Sequence, residues 1–118
     1  MNTQHEQTER VVRNHLQSFV EHKGLDAILA DYDERAIFIA ESKVYRGKPQ
    51  IREFFEGLMQ ALPADAAERF SLSSLWVEGT LAYITWSVGG AVPLGTDTFV
   101  VDHGKIVSQT SALYFQAS

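Results

Sequence analysis

Residues 36–55 read AIFIAESKVYRGKPQIREFF, and this stretch decides the fold. The pattern predicts a strand over 36–40, a tight turn, and a second strand over 43–46. A helix then begins near Pro49, because proline suits the first helical position. Glu41 comes directly after an uncharged strand. It is therefore a candidate for a catalytic base at the mouth of a pocket, or for a solvated turn residue.

Upstream of this stretch, the spacing of apolar residues predicts two helices. The first helix covers residues 4–22. The second is short, and its apolar face runs from Leu25 to Tyr32. The polar run DYDER at 31–35 predicts a break before the first strand.

Downstream, the third helix ends at Pro63, and a loop is expected over 63–68. Alternating residues then predict four antiparallel strands, with a bulge at Ser73 and Ser74 in the first of them. A longer loop is expected between the second and third of these strands. The expected strands cover 69–78, 80–88, 96–102 and 105–115, and the longer loop covers 89–95. Helices thus precede most of the strands, which indicates a single α+β domain over residues 1–118.

Composition excludes several classes of protein. The net charge of −5 argues against a nucleic-acid partner, because phosphate contacts need an excess of Lys and Arg. No apolar run is long enough to predict a membrane span. The absence of cysteine and the polar first ten residues predict a cytoplasmic protein. The four histidines lack metal-ligand spacing and no nucleotide motif occurs, so we expect neither a metal nor a cofactor.

Three segments carry a resemblance to a known family: Gly24 to Asp26 followed by Tyr32, residues 47–55, and residues 104–108. With the order of elements, they resemble the nuclear transport factor 2-like superfamily. This superfamily includes ketosteroid isomerases, SnoaL-like polyketide cyclases and limonene-epoxide hydrolases. The resemblance implies a strongly curved antiparallel or mixed sheet, wrapped around three N-terminal helices to form a cone with one pocket.

The resemblance also assigns positions to the catalytic groups of the isomerases. Their oxyanion-donating tyrosine on the first helix falls on His15, and their protonated aspartate on the penultimate strand falls on Asp97. Their proton-shuttling aspartate falls on Ala40, which cannot carry a proton. Glu41 lies one position after Ala40 along the chain. A shift of one residue turns a side chain to the other face of a strand. Steroid isomerisation is therefore not expected.

Further positions are expected to line the pocket. The resemblance points the Trp86 face of its strand inward. The residues expected to face inward from the last strand are Val107, Gln109, Ser111, Leu113 and Phe115. The resulting candidates for ligand binding are Tyr32, Ala40, Phe55, Trp86, Gln109 and Ser111, with His15 and Asp97 as the catalytic candidates.

Three functions stay open from the sequence. The first is binding of a small hydrophobic molecule, with cofactor-free isomerase or cyclase chemistry by His15 and Asp97. The second is a non-catalytic ligand-binding or dimerisation module. The sheet face with Leu81, Tyr83 and Thr85 would then pair two copies in a homodimer. The third is water activation of the epoxide hydrolase type, for which Arg69 and Asp97 are present without an obvious second acid.

Overall fold

The computed structural model describes residues 3–116, which form four helices and one six-stranded sheet. The helices are α1 (Thr3–Val20), α2 (Leu25–Leu29), α3 (Gly47–Ala61) and α4 (Ala66–Arg69). The strands are β1 (Tyr32–Ala40), β2 (Lys43–Arg46), β3 (Phe70–Glu78), β4 (Leu81–Val88), β5 (Val92–Asp102) and β6 (Lys105–Tyr114).

The sheet has the strand order β2-β1-β6-β5-β4-β3 and is curved without closing on itself. The four strands from β3 to β6 form an antiparallel meander, and β1 pairs with β6 in parallel. The expected α+β fold with a curved mixed sheet over helices is thereby confirmed.

Alternation along the strands separates an inner face from an outer face. On β4, Ala82, Ile84 and Trp86 are buried, whereas Leu81 and Tyr83 are exposed. This is the orientation expected from the sequence, because successive side chains of a strand point to opposite faces. The inner face packs against α1 and α3.

Three parts of the chain differ from the sequence prediction by more than two residues. Helix α2 ends at Leu29, and Tyr32 starts β1, where it pairs with Ile106. The polar run 31–35 is therefore mostly strand rather than a break. The predicted loop over 89–95 is wrong in its second half, because β5 begins at Val92. The expected loop at 63–68 contains the start of α4, which is a fourth helix.

Two irregularities set which side chains of the meander face inward. The register of β3 against β4 shifts between Leu72 and Ser74, and this confirms the predicted bulge. A second shift lies between β5 and β6, where Ile106 is fully buried and Val107 is only half-buried. The expected inward position of Val107 is therefore wrong. Phe115 lies beyond the end of β6 and is exposed, which corrects its predicted inward position as well.

Candidate functional site

A small cavity lies between α1, α3 and the inner face of the sheet, with a volume of about 70 Å³. Its wall is mostly aromatic and aliphatic. The aromatic members are Phe19, Phe38, Phe54, Phe55, Phe70, Trp86 and Phe99. The polar members are His15, Asp97, Gln109 and Ser111. Polar groups in an otherwise apolar wall are typical of a ligand-binding pocket.

Asp97 is held by two N–H donors. The Trp86 indole Nε1 donates to Oδ1 at 2.7 Å, and Gln109 Nε2 donates to Oδ2 at 2.7 Å. The three residues lie on neighbouring strands, because Asp97 on β5 is flanked by β4 and β6. A carboxylate can accept about four hydrogen bonds, so with donors from Trp86, Gln109 and Ser111 it keeps unused acceptor capacity.

Burial raises the pKa of Asp97 from its ordinary value of 3.8 to about 6, because a charged carboxylate loses solvation inside the cone. Hydrogen bonds from Trp86, Gln109 and Ser111 act in the opposite direction, as does the nearby His15. The carboxyl group therefore changes protonation state close to neutral pH, which is where a general acid or base is most effective.

The position of Trp86 depends on Gly95, its partner across β4 and β5. A Cβ atom on residue 95 would lie 2.3 Å from carbon atoms of the indole, so only glycine leaves room for the ring. On another side, Trp86 stacks on Phe70, with ring centroids 5.7 Å apart. Packing thus aims the indole N–H at Asp97.

A chain of hydrogen bonds continues from Gln109 towards α1. The Tyr32 hydroxyl donates to Gln109 Oε1 at 2.5 Å, and its oxygen lies 3.4 Å from His15 Nε2. Burial raises the pKa of Tyr32 well above its ordinary value, and the negative charges of Asp97 and Asp31 raise it further. Tyr32 therefore keeps its proton and remains a donor to Gln109.

Asp31 is a member of this network that sequence reasoning missed. Its Oδ2 lies 3.5 Å from His15 Nδ1, and neither atom has a hydrogen-bond partner among residues 3–116. Both ring nitrogens of His15 thus face oxygen atoms that can accept a hydrogen bond. The only available signal was an acidic residue directly before the buried Tyr32, in a segment that was interpreted as a polar break.

The sequence matches a known family over most of its length. A profile of the SnoaL-like domain family covers residues 12–109. The chain belongs to this family. No curated protein matches the sequence significantly.

Solved structures share the fold of this SnoaL-like domain at low identity. A proposed ketosteroid isomerase from Kribbella flavida DSM 17836 is 17% identical, with a TM-score of 0.72 over 96% of this chain and 82% of that chain. An NTF-2 like protein of unknown function from Burkholderia xenovorans LB400 is 21% identical and has a TM-score of 0.73. The match covers 96% of this chain and 88% of that chain. A proposed polyketide cyclase from Sinorhizobium meliloti is 16% identical and has a TM-score of 0.73. The match covers 86% of this chain and 93% of that chain. These similarities show the nuclear transport factor 2-like fold and leave the reaction open.

The SnoaL-like domain brings most of the predicted site residues together. Those that line the cavity are His15, Phe55, Trp86, Asp97, Gln109 and Ser111. Tyr32 is buried behind this lining and reaches it through His15 and Gln109. Ala40 is buried on the inner face beside Ser111, its partner in β6, but does not line the cavity.

Glu41 does not enter the cavity. It is exposed in the turn between β1 and β2, where Glu41 and Ser42 have φ values of 53° and 66°. Two consecutive residues with positive φ are typical of a tight two-residue hairpin turn. The turn therefore follows the strand without the bulge that would have turned Glu41 inward.

Other predicted groups lie outside the cavity. Arg69, which an epoxide hydrolase site would need, lies over Gly89 and pairs with Asp65. Within residues 3–116, Asp97 is the only carboxylate that lines the cavity. In the same range, no group of three or more His, Asp or Glu side chains could hold a metal ion. None of the helices in the described part of the chain is long and apolar enough to cross a membrane.

Proposed function

We propose that this SnoaL-like domain binds a small, mostly apolar molecule in its cone, with Asp97 as the principal polar contact. The observation that carries the proposal is one carboxyl group, with its hydrogen-bond partners, in a cavity that is otherwise largely aromatic and aliphatic. Apolar walls supply binding energy through buried area, and a few polar groups orient the ligand.

The size of the cavity favours a compact ligand. Its volume of about 70 Å³ is well below the roughly 300–1,000 Å³ that encloses a drug-sized molecule. A single small ring fits this scale better than a fused ring system. Steroid-sized ligands would require the aromatic wall to move apart.

Catalysis, where it accompanies binding, would be proton transfer of the isomerase or cyclase type without a metal or cofactor. Asp97, with a pKa of about 6, can give or take a proton near neutral pH. His15 is the second candidate, since it lines the same cavity. A non-catalytic binding module is the alternative. It would retain ligand affinity and show no turnover that depends on Asp97.

Nuclear magnetic resonance titration tests the binding proposal. Small cyclic alcohols and ketones are added, and the indole N–H resonance of Trp86 is followed in a Trp76→Phe background. We expect saturable shifts of this resonance, and we expect Leu58→Trp to abolish them, because Leu58 lines the cavity from α3. Met59→Trp, at the next position on α3 and outside the lining, is the matched control. No shift with any such ring, or equal binding in the two variants, would contradict the proposal.

We also propose that two copies pair through the outer face of the sheet. Exposed apolar side chains form two cross-strand pairs near the two edges of the sheet, Trp76 with Tyr83 on β3 and β4, and Ile39 with Val44 on β1 and β2. Thr110 on β6 and Thr98 on β5 lie between the two pairs in the same cross-strand register. Their exposed fractions are 70% for Trp76, 41% for Tyr83, 42% for Ile39 and 36% for Val44. Exposed apolar side chains grouped on one sheet face are typical of protein interfaces.

The cellular setting is proposed from composition. The net charge of −5 gives nucleic acid and anionic membranes no electrostatic attraction, so neither is proposed as a partner. A cytoplasmic location remains a prediction from the sequence. Fractionation of cells that express the tagged protein would check it.

A further inference from the structure

The hydrogen bonds around Asp97 have a fixed direction. The Trp86 indole and the Gln109 amide nitrogen can only donate, so both oxygens of Asp97 act as acceptors. In this orientation of the Gln109 amide, Oε1 accepts from the Tyr32 hydroxyl while Nε2 donates to Asp97. A reversed amide would place its oxygen against a carboxylate oxygen, and two acceptors would then face each other.

Packing also fixes the direction of the other donor, the indole N–H of Trp86. The Trp86 ring lies over Gly95 and against Phe70, which leaves its N–H aimed at Asp97. Charge-assisted hydrogen bonds from N–H groups favour the ionised carboxylate over the neutral acid. The charged and titratable groups that face Asp97 are His15 from α1 and Tyr32 from β1, with Asp31 beyond His15.

We propose that the ligand of this cavity presents an O–H or N–H donor to Asp97 on an otherwise apolar body, so that an alcohol is bound in preference to a ketone of the same shape. This inference rests on the proposed function and names the class of ligand. The ionised carboxylate can accept a further hydrogen bond but cannot donate one. The hydroxyl of an alcohol can donate this hydrogen bond. A ketone oxygen would face the carboxylate as a second acceptor, which is costly where water is excluded. Ser111 donates to Asp97, so its remaining capacity is to accept, which also suits a ligand that donates.

The protonation state of Asp97 gives the inference its pH dependence. With a pKa of about 6, the carboxyl group is mostly ionised at about pH 8 and mostly neutral at about pH 5. A neutral carboxyl group has an O–H and can donate to a ketone. The protein should therefore prefer the alcohol strongly at about pH 8, and this preference should weaken at about pH 5.

Cyclopentanol and cyclopentanone form a matched pair of probes for this test. They share one small ring and differ in the replacement of a hydroxyl by a carbonyl. Titration followed at the Trp86 indole N–H resonance should show about tenfold tighter binding of the alcohol at about pH 8. At about pH 5 the two affinities should approach each other. Asp97→Asn should remove both the preference and its pH dependence, since an amide donates and accepts. Asp102→Asn, an exposed carboxylate on the same strand, should keep both.

The outcomes separate this inference from the proposed function. Equal binding of the two rings at both pH values, or tighter binding of the ketone at about pH 8, would overturn the donor preference and leave ligand binding intact. Failure of both rings to bind the wild-type protein would overturn the proposed function and this inference together. The wild-type measurements alone decide these outcomes, so the test does not depend on the folding of a variant.

Discussion

The carboxylate of Asp31 lies 3.5 Å from the imidazole Nδ1 of His15, with both side chains largely buried. On the far side of the ring, Nε2 lies 3.4 Å from the hydroxyl of Tyr32. His15 is thereby placed between an acidic residue near the surface and a hydroxyl in the interior. Together with Gln109, this chain connects Asp31 to Asp97 across the cone.

Removing the Asp31 carboxylate should destabilise the fold. Asp31→Ala removes the carboxylate that lies 3.5 Å from the buried His15 Nδ1 and accepts from Asn14 Nδ2, and loss of polar contacts of this kind costs about 1–3 kcal/mol. We expect a decrease of about 2 kcal/mol in the free energy of unfolding, measured by chemical denaturation. Asp26→Ala removes an exposed acid that pairs with Arg52 and should change this free energy by less than about 1 kcal/mol.

A double-mutant cycle with His15→Phe isolates the contribution of the pair. If Asp31 acts through His15, the two substitutions should be non-additive by about 1 kcal/mol or more, as is usual for residues in contact. Additive effects, or an Asp31→Ala variant as stable as Asp26→Ala, would show that the contact contributes nothing.

Asp97 should make stability depend on pH. Its pKa is raised from 3.8 to about 6 on folding, so the folded protein binds the proton more tightly than the unfolded chain. A buried acid of this kind favours folding below the unfolded pKa, and this contribution is lost as the pH rises through the folded pKa. Between about pH 4 and pH 6, we expect the free energy of unfolding to fall by about 2 kcal/mol on account of Asp97, out of about 3 kcal/mol over the full titration.

Denaturation of the wild type and Asp97→Asn across this range tests the expectation. The difference between the two curves removes the titration of all other groups. It should fall steadily between about pH 4 and pH 6 and level off above about pH 7. A difference that stays constant, or one that grows with pH, would mean that Asp97 is not a desolvated acid in the folded protein.

The sequence predicted the fold largely because its apolar spacing is regular. The period of three to four residues in α1 and α3, and the alternation in β4, reflect one buried face each. The start of β5 at Val92 was missed because Gly89, Gly90 and Pro93 interrupt the pattern. Glycine and proline near a strand end indicate a loop locally, and pairing with neighbouring strands overrides that preference.

The site could be predicted only in part. His15 and Asp97 followed from the position of each residue along its element, as the resemblance assigned it. The partners of Asp97 depend on distances across strands: Trp86 reaches it because Gly95 leaves space for the indole. No local pattern encodes such a contact. Asp31 was missed for the same reason, since its relation to His15 arises from the packing of α1 against the start of β1.

Gly95→Ala should disrupt the site through Trp86. The new Cβ would lie 2.3 Å from the indole, so the ring must move, and its hydrogen bond to Asp97 should weaken or break. Overpacking of this kind costs about 1–3 kcal/mol. Gly57→Ala on α3 is a matched control, because a Cβ there has no neighbour within 4 Å and alanine favours a helix.

Fluorescence in a Trp76→Phe background reports the Trp86 environment directly. We expect Gly95→Ala to change the emission of Trp86 and to lower the free energy of unfolding, and we expect Gly57→Ala to do neither. An unchanged Trp86 emission in Gly95→Ala would contradict the role assigned to the glycine.

Steroid isomerisation should be absent. The position of the isomerase base is occupied by Ala40, which is buried beside Ser111, and the nearby Glu41 points into solvent at the turn. Without a group that moves the proton between ring carbons, Asp97 alone cannot complete the reaction. We expect no conversion of a Δ5-3-ketosteroid above background, followed by ultraviolet absorbance of the conjugated product. Measurable conversion that Asp97→Ala abolishes would show this expectation to be wrong.

The outer face of the sheet should carry the contact between two copies. Trp76 and Tyr83 are directly opposite each other on β3 and β4, and both are exposed in the single chain. A lysine at either position would place a charge in an apolar contact, where desolvation is unfavourable. Trp76→Lys and Tyr83→Lys should therefore shift the protein from dimer to monomer in analytical ultracentrifugation. Gln60→Lys, an exposed position on α3, should leave the dimer unchanged. A monomeric wild type, or lysine variants that remain dimeric, would contradict pairing through this face.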